Sequence, residues 1–249
     1  MPDGVGAVLF SSLESTNDTA REAFARGEIG PTWFAALEQT KGRGRLGRTW
    51  VSNGGGNLYT SLLFKPDVEP AELAALPFIT SLAVRDALIK HGADGDSVQC
   101  KWPNDVLINE KKCAGILIET ILSPKNTIDS VIVGIGINLN SFPDSAQFPP
   151  TSLLAEAGFA PQPDEFLATL AEVFIAHWLN WILNGFTVTA SQWTDVAWGL
   201  GKRRSVETSA GSVDGTLIGL ADDGALILKL DEGGEKRLYA GDVFSAKNK

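Results

Sequence analysis

The sequence predicts an α+β fold: a mixed, largely antiparallel sheet with packed helices, followed by a small all-β module at the C-terminus. Three observations carry this. Short runs of β character at Val98 to Trp102, Val106 to Ile108, Gly115 to Glu119 and Val131 to Asn138 lie too close together for the helical crossovers that parallel strands require. Helical apolar spacing is confined to a few longer segments. From about Arg204 the texture changes to short β segments separated by turns such as Asp222-Asp223-Gly224. The 249 residues therefore divide into a large domain over 1–200 and a small one over 201–249, the latter too short for a strong core of its own and so packed on the former.

In chain order, Ser15 to Gly27 reads as a helix, with polar starters Ser15, Thr16, Asn17 and Asp18 before Ala20, Ala23 and Phe24, and with Thr19 and Glu22 spaced for a capping box. Trp33 to Leu37 and Leu58 to Phe64 read as strands. Leu73 to His91 has helical spacing at Leu76, Ile79, Leu82, Val84 and Leu88, with Pro77 in a break or first turn. Asn109 to Lys112 is a hairpin-like turn between two strands, and Asn140 to Pro150 is a loop rich in Pro, Ser and Asp. Asp164 to Leu183 forms a long helix opened by an acidic cap. Its stretch from Phe166 to Leu183 is short for a bilayer and carries Glu172, His177 and Asn180, so it is assigned to the core and no membrane is expected. Ser205 to Thr208, Gly215 to Leu220, Ala225 to Leu230 and Lys236 to Tyr239 are the strands of the C-terminal module.

Composition bounds the function. At 44% hydrophobic and 20% charged residues the chain has the profile of a folded soluble protein. A net charge of −9 opposes any broad nucleic-acid or anionic-membrane surface, so an anion site must be local. The N-terminus MPDGVGAVLF has neither the basic start nor the cleavage site of a secretory signal, and the cytoplasm is expected. Cys100 and Cys113 form no CxxC pair and His91 and His177 lie far apart, so neither a zinc site nor a disulfide framework is encoded.

Lys41 to Arg48, KGRGRLGR, reverses the charge locally: four basic residues and no acid within an acidic chain. Gly42, Gly44 and Gly47 let backbone N–H groups approach a ligand, and Arg43, Arg45 and Arg48 offer planar forks for carboxylate or phosphate. The same stretch matches a dinucleotide fingerprint, but that motif must open into a helix, and TWVSNGGGN follows instead. A phosphate-binding Walker loop is also excluded, since no Gly-Lys-Ser/Thr follows. Residues 42–48 are expected to be mobile, because glycine is costly to order and the four charges repel one another until an anion arrives.

Glu38 to Trp50, EQTKGRGRLGRTW, closely resembles the biotin-binding loop of biotin–protein ligases, and three further blocks agree in order. They are Ser15-Thr16-Asn17, Lys101-Trp102-Pro103-Asn104-Asp105 followed by Lys112-Cys113-Ala114-Gly115-Ile116-Leu117, and Gly134-Ile135-Gly136-Ile137-Asn138. The resemblance covers roughly residues 5 to 245. It implies that the C-terminal module is an SH3-like β-barrel, and that this is the short form of the family, without the N-terminal DNA-binding domain of longer members, so no specific DNA is expected. Lys41 departs from the pattern, standing where related sequences often have a small residue.

The resemblance also implies roles. Ser15, Thr16, Asn17 and Gln39 build the end of the biotin pocket that serves the ureido ring, with helix capping as a competing use of the first three. Arg43, Gly44 and Arg45 hold biotin and its adenylate, Lys112 and Gly115 complete the biotin site, and Arg48 manages ATP phosphates. Trp50 stacks near adenine, or is a core or lid tryptophan. Lys101, Asn104 and Asn138 contact nucleotide or its Mg²⁺, the metal arriving with ATP and having no direct protein site of its own. Asp105 positions either Mg²⁺ water or the incoming lysine. Lys112, Arg48, Lys101 and Asp105 form the catalytic set, with Lys112 reaching in from the hairpin turn and Lys111 a solvated neighbour.

The implied activity joins biotin, through biotinyl-5′-AMP made from ATP, to a lysine of the biotin carboxyl carrier domain of a carboxylase. A homodimer is left open. The rival readings are a lipoate or octanoate ligase of the same fold and a non-enzymatic vitamin-binding or carrier-docking module. The arginine-rich loop and the KWPND block favour biotin over the first. Arg48, Lys101 and Lys112 would be superfluous in the second.

Overall fold

A computed structural model describes residues 1–52, 55–144 and 148–246. Seven strands form the main sheet: β1 (Gly6–Phe10), β2 (Thr32–Ala36), β3 (Leu58–Phe64), β4 (Val98–Lys101), β5 (Asp105–Ile108), β6 (Lys111–Leu122) and β7 (Ile128–Ile137). Their order is β1-β2-β3-β7-β6-β5-β4. Only β1 and β2 run parallel, and every other neighbouring pair is antiparallel, as the short connections require. The predicted α+β class with a largely antiparallel sheet is therefore observed.

Among the described residues five α-helices pack on this frame: α1 (Thr16–Ala25), α2 (Leu76–Lys90), α3 (Leu153–Ala157), α4 (Pro163–Asn184) and α5 (Phe186–Asp195). Side chains alternate across a strand, so the adjacent Trp33 and Phe34 of β2 serve opposite faces. Phe34 joins Leu63, Ile132 and the Ala20 and Ala23 face of α1. Trp33 joins the larger core beneath α2 and α4, where its ring meets Phe174 edge-on at 5.9 Å. Five further antiparallel strands, β8 (Arg203–Thr208), β9 (Gly211–Leu220), β10 (Leu226–Lys229), β11 (Glu235–Leu238) and β12 (Asp242–Ser245), form a second sheet in the order β11-β10-β9-β8-β12. Its apolar face, including Val206, Leu217 and Val243, shares one core with Phe78 and Leu82 of α2 and with Trp193 of α5.

Several expectations are corrected. The cap of α1 is Ser15, whose hydroxyl accepts from the Asp18 N–H; Thr19 donates to the Ser15 carbonyl, so no box forms between Thr19 and Glu22. The hairpin turn is only Asn109 and Glu110, both left-handed at φ 49° and 60°, and Lys111 and Lys112 already belong to β6. The long helix is capped by Gln162 in a box with Glu165. It is also less buried than a core helix: Phe166, Leu170 and Phe174 are packed, but Leu179, Ile182 and Leu183 near its end are exposed, the last at 79%. β1, α3, α5 and β12 were not anticipated.

Candidate active site

The loop 41–52 is built as a small arch. Gly44 N–H donates to the Arg48 carbonyl at 2.8 Å and Trp50 N–H to the Gly42 carbonyl at 2.9 Å, while Arg45–Gly47 turn tightly between them with Leu46 left-handed at φ 56°. Trp50 is thereby laid on the sheet. It fits because β6 and β7 carry glycine beneath it: a Cβ at Gly115 would lie 2.7 Å from Trp50 Cζ3, and one at Gly136 2.7 Å from Trp50 Nε1. The repeated glycines of GIGIN are thus a flat floor cut for side chains arriving from elsewhere.

Under the arch is one cavity of about 230 Å³, and it brings together all the candidate residues named above. At one end, α1 presents Ser15, Thr16 and Asn17. Gln39 Oε1 accepts from the Thr16 N–H at 2.8 Å and from its hydroxyl at 3.1 Å, and Ser61 shares its single proton between Thr16 Oγ1 at 2.7 Å and Asn17 Oδ1 at 2.6 Å. The groups that line this end are neutral, with the Glu119 carboxylate behind them on Asn17 Nδ2 at 2.9 Å. Ser15 is both helix cap and cavity wall, so the two uses coexist.

The other end gathers cations. Lys101 ends β4, Asp105 opens β5, and the turn Trp102-Pro103-Asn104 between them is what the KWPND block builds. Asp105 is the hub: Oδ2 takes Lys101 Nζ at 3.3 Å and Oδ1 pairs with Lys112 Nζ at 2.6 Å. Burial alone would raise its pKa, but the two ammonium groups, Lys112 ahead of Lys101, hold it below the usual carboxylate range. Lys101, only 3% exposed, also sits over Phe148 at 5.0 Å and Phe244 at 5.8 Å, while Lys112 lies over Trp50 at 5.3 Å. Asn104 is pinned by donating to the Ile116 carbonyl at 2.8 Å and accepts from Arg45 at 3.2 Å. The Arg45 pKa is lowered, by burial first. Asn138 donates to the Thr151 carbonyl at 3.0 Å from the edge of the cavity.

Two readings of the sequence change here. The charges of the basic loop are not left to repel one another: Lys41 pairs with Glu14, Arg43 with Asp18 and Glu119, and Arg48 with Asp242. The bond to Asp242 raises the Arg48 pKa. Asp105, with each oxygen facing an ammonium, is poorly placed to bind a metal directly, since a cation would have to displace a lysine. Sequence reasoning also missed Asp242 and Phe244, which the second sheet brings to the cavity wall from the far end of the chain. No local signal marks them, and only the return of β12 beside β8 places them there.

The cavity thus presents neutral amide and hydroxyl groups at one end and a cluster of cations around Asp105 at the other. The biotin/lipoate A/B protein ligase family matches residues 9–138, and the biotin protein ligase C terminal domain matches residues 199–245. The chain is 37% identical over 241 residues to the biotin–[acetyl-CoA-carboxylase] ligase of Paracoccus denitrificans, covering 95% of this chain and 99% of that one. It is 34% identical over 244 residues to the bifunctional ligase/repressor BirA of Bacillus subtilis, covering 96% and 74%. Among solved structures, the biotin protein ligase from Aquifex aeolicus in complex with biotin and ATP superposes with a TM-score of 0.82 at 30% identity, covering 96% and 97%. The chain belongs to the biotin/lipoate A/B protein ligase family, and within it to the biotin protein ligases.

Proposed function

We propose that this enzyme makes biotinyl-5′-AMP from biotin and ATP, releasing pyrophosphate, and passes the biotinyl group to a lysine of a biotin carboxyl carrier domain, releasing AMP. The observation that carries the reading is the polarity of the cavity under the arch, with amide and hydroxyl groups at one end and Arg45, Arg48, Lys101 and Lys112 at the other. A neutral urea and a carboxylate, the two ends of biotin, match that order. The Aquifex aeolicus neighbour, solved with biotin and ATP, supports it.

In this reading Thr16, Asn17 and Gln39, with Ser15 beside them, hold the ureido ring. Arg43 and Gly44 close the arch over the ligand. Lys112, aided by Arg45, neutralises the biotin carboxylate as it attacks the α-phosphate, and Gly115 keeps the floor flat beside it. Arg48 exchanges Asp242 for a phosphate, which is the same charge pairing with a stronger anion. Lys101 and Asn104 hold the leaving phosphates, Asn138 borders the nucleotide, and Trp50 covers adenine. Mg²⁺ travels with the ATP phosphates; Asp105 orients the two lysines and, once a substrate anion has drawn Lys112 away, receives the acceptor lysine, whose ammonium gives up a proton to solvent before the neutral amine attacks the mixed anhydride and AMP leaves. No protein nucleophile is required, since the residues act by positioning and charge neutralisation. We read the C-terminal module as SH3-like from its five short antiparallel strands.

Isothermal titration with biotin and with lipoate tests the substrate assignment. Saturable binding of biotin, with lipoate weaker by at least about a hundredfold, is the expected result; equal binding, or preference for lipoate, would overturn it.

A further inference from the structure

Glu119, in β6, lies outside every block by which the family was recognised, yet its carboxylate is a junction at the uncharged end of the cavity. It accepts from Asn17 Nδ2 at 2.9 Å and pairs with Arg21 at 3.3 Å and Arg43 at 3.6 Å. The first contact matters most, because an amide side chain has a direction. A carboxylate only accepts, so turning the Asn17 amide over would set oxygen against oxygen at the same distance. With Nδ2 held, Oδ1 accepts from Ser61 at 2.6 Å and lies over Gly134, where any Cβ would collide with it; its second lone pair is left for the cavity that Gly134 lines. Across the same end Gln39 is set the other way: its Oε1 is used by Thr16, which leaves Nε2, beside Gly42 of the arch, as its donor.

We propose that Glu119 is a positioning residue that fixes the hydrogen-bond polarity of the ring end and so makes the site selective for a cyclic urea. One amide presents oxygen to a ring N–H and the other presents N–H to the ring carbonyl. A dithiolane ring or a plain acyl chain offers neither partner. The proposal rests on the biotin reading above.

The test separates the reach of Glu119 from its charge. Glu119→Gln loses the charge but keeps an acceptor for Asn17, because Asn17 and Arg21 approach the same oxygen and both demand the amide's oxygen there, whereas Glu119→Asp keeps the charge facing Arg21 and Arg43 but withdraws it by one methylene. Both are conservative changes at a half-buried position, and thermal melting checks that each is folded. Calorimetric titration of the full chain uses biotin and a cyclic carbamate analogue in which one ring N–H is replaced by oxygen. The wild type and Glu119→Gln are expected to prefer biotin by about tenfold, and Glu119→Asp to bind biotin about tenfold more weakly and to lose most of that preference. The reverse order, equal loss in both variants, or two folded variants with wild-type affinity and preference would each overturn the proposal. A wild type that binds no biotin would overturn the biotin reading itself, a failure visible before any variant is made.

Discussion

Lys112 and Lys111 are adjacent in β6, yet alternation sends one into the cavity beside Asp105 and the other to Glu156 at 2.9 Å on the surface. Lys112→Ala is expected to slow pyrophosphate release by about 10²- to 10³-fold, the usual loss for one preorganised charge contact, and Lys111→Ala to leave it nearly unchanged. Equal effects in the pair would contradict the assignment. Asp105→Asn strands Lys101 beside a neutral amide in a dry site and should cost about 3 kcal/mol at neutral pH. Its folded pKa is depressed, so that stability is present above the ordinary carboxylate value of about 3.9 and is lost as pH falls through the lower folded value. Denaturant titrations of wild type and variant should therefore begin to converge as pH falls below about 4 and meet only below the depressed folded value, and a gap that stays constant with pH would contradict the pairing. Lys101, Asp105 and Lys112 were visible as chemistry through the resemblance of the KWPND and KCAGIL blocks to biotin–protein ligases. The sequence did not show that one carboxylate holds both lysines, since that depends on the register of β4, β5 and β6 together.

The arch over the cavity is shaped by what lies beneath it and tied by acids around it. Gly136→Ala should leave the sheet intact but push Trp50 off the floor, weakening ATP binding by about tenfold in a direct titration with little change in melting temperature; unchanged ATP affinity would show that Trp50 is not part of the nucleotide site. Because Arg48 is held by Asp242, Asp242→Asn is expected to speed amide exchange across 44–50 in the ligand-free protein, and unaltered exchange would mean that the arch is fixed by its backbone alone. These ties were hidden from the sequence for a plain reason: the acids come from the segment before α1, from α1 itself, from β6 and from β12, all separated along the chain from the loop they hold. The strands and helices with strong periodicity were legible, including β3 over Leu58–Phe64. β1 was not, because GAVLF on a sheet edge is short and largely exposed and shows no alternation. Nor was α5, whose FTVTASQWTD mixes β-branched and polar residues and is held helical by Trp193 packing on Phe78.

For the whole molecule, the second sheet shares its core with α2 and α5 and sends Asp242 and Phe244 to the cavity, so cutting the chain after residue 200 removes part of the site wall. The net charge of −9 and the pairing of Lys41, Arg43 and Arg48 with acids argue against a nucleic acid seated on the basic loop. A gel shift with operator-like duplexes at moderate salt is expected to show no sequence-dependent retardation. The most direct test of the central claim is a two-stage assay on the full chain. Biotin and MgATP are supplied first without acceptor, and pyrophosphate is measured; a carrier domain is then added and its lysine assayed for biotin. The account predicts a stoichiometric, biotin-dependent release of pyrophosphate in the first stage and label on the carrier in the second without further ATP. Transfer of biotin with no prior pyrophosphate release, or release that does not depend on biotin, would contradict it.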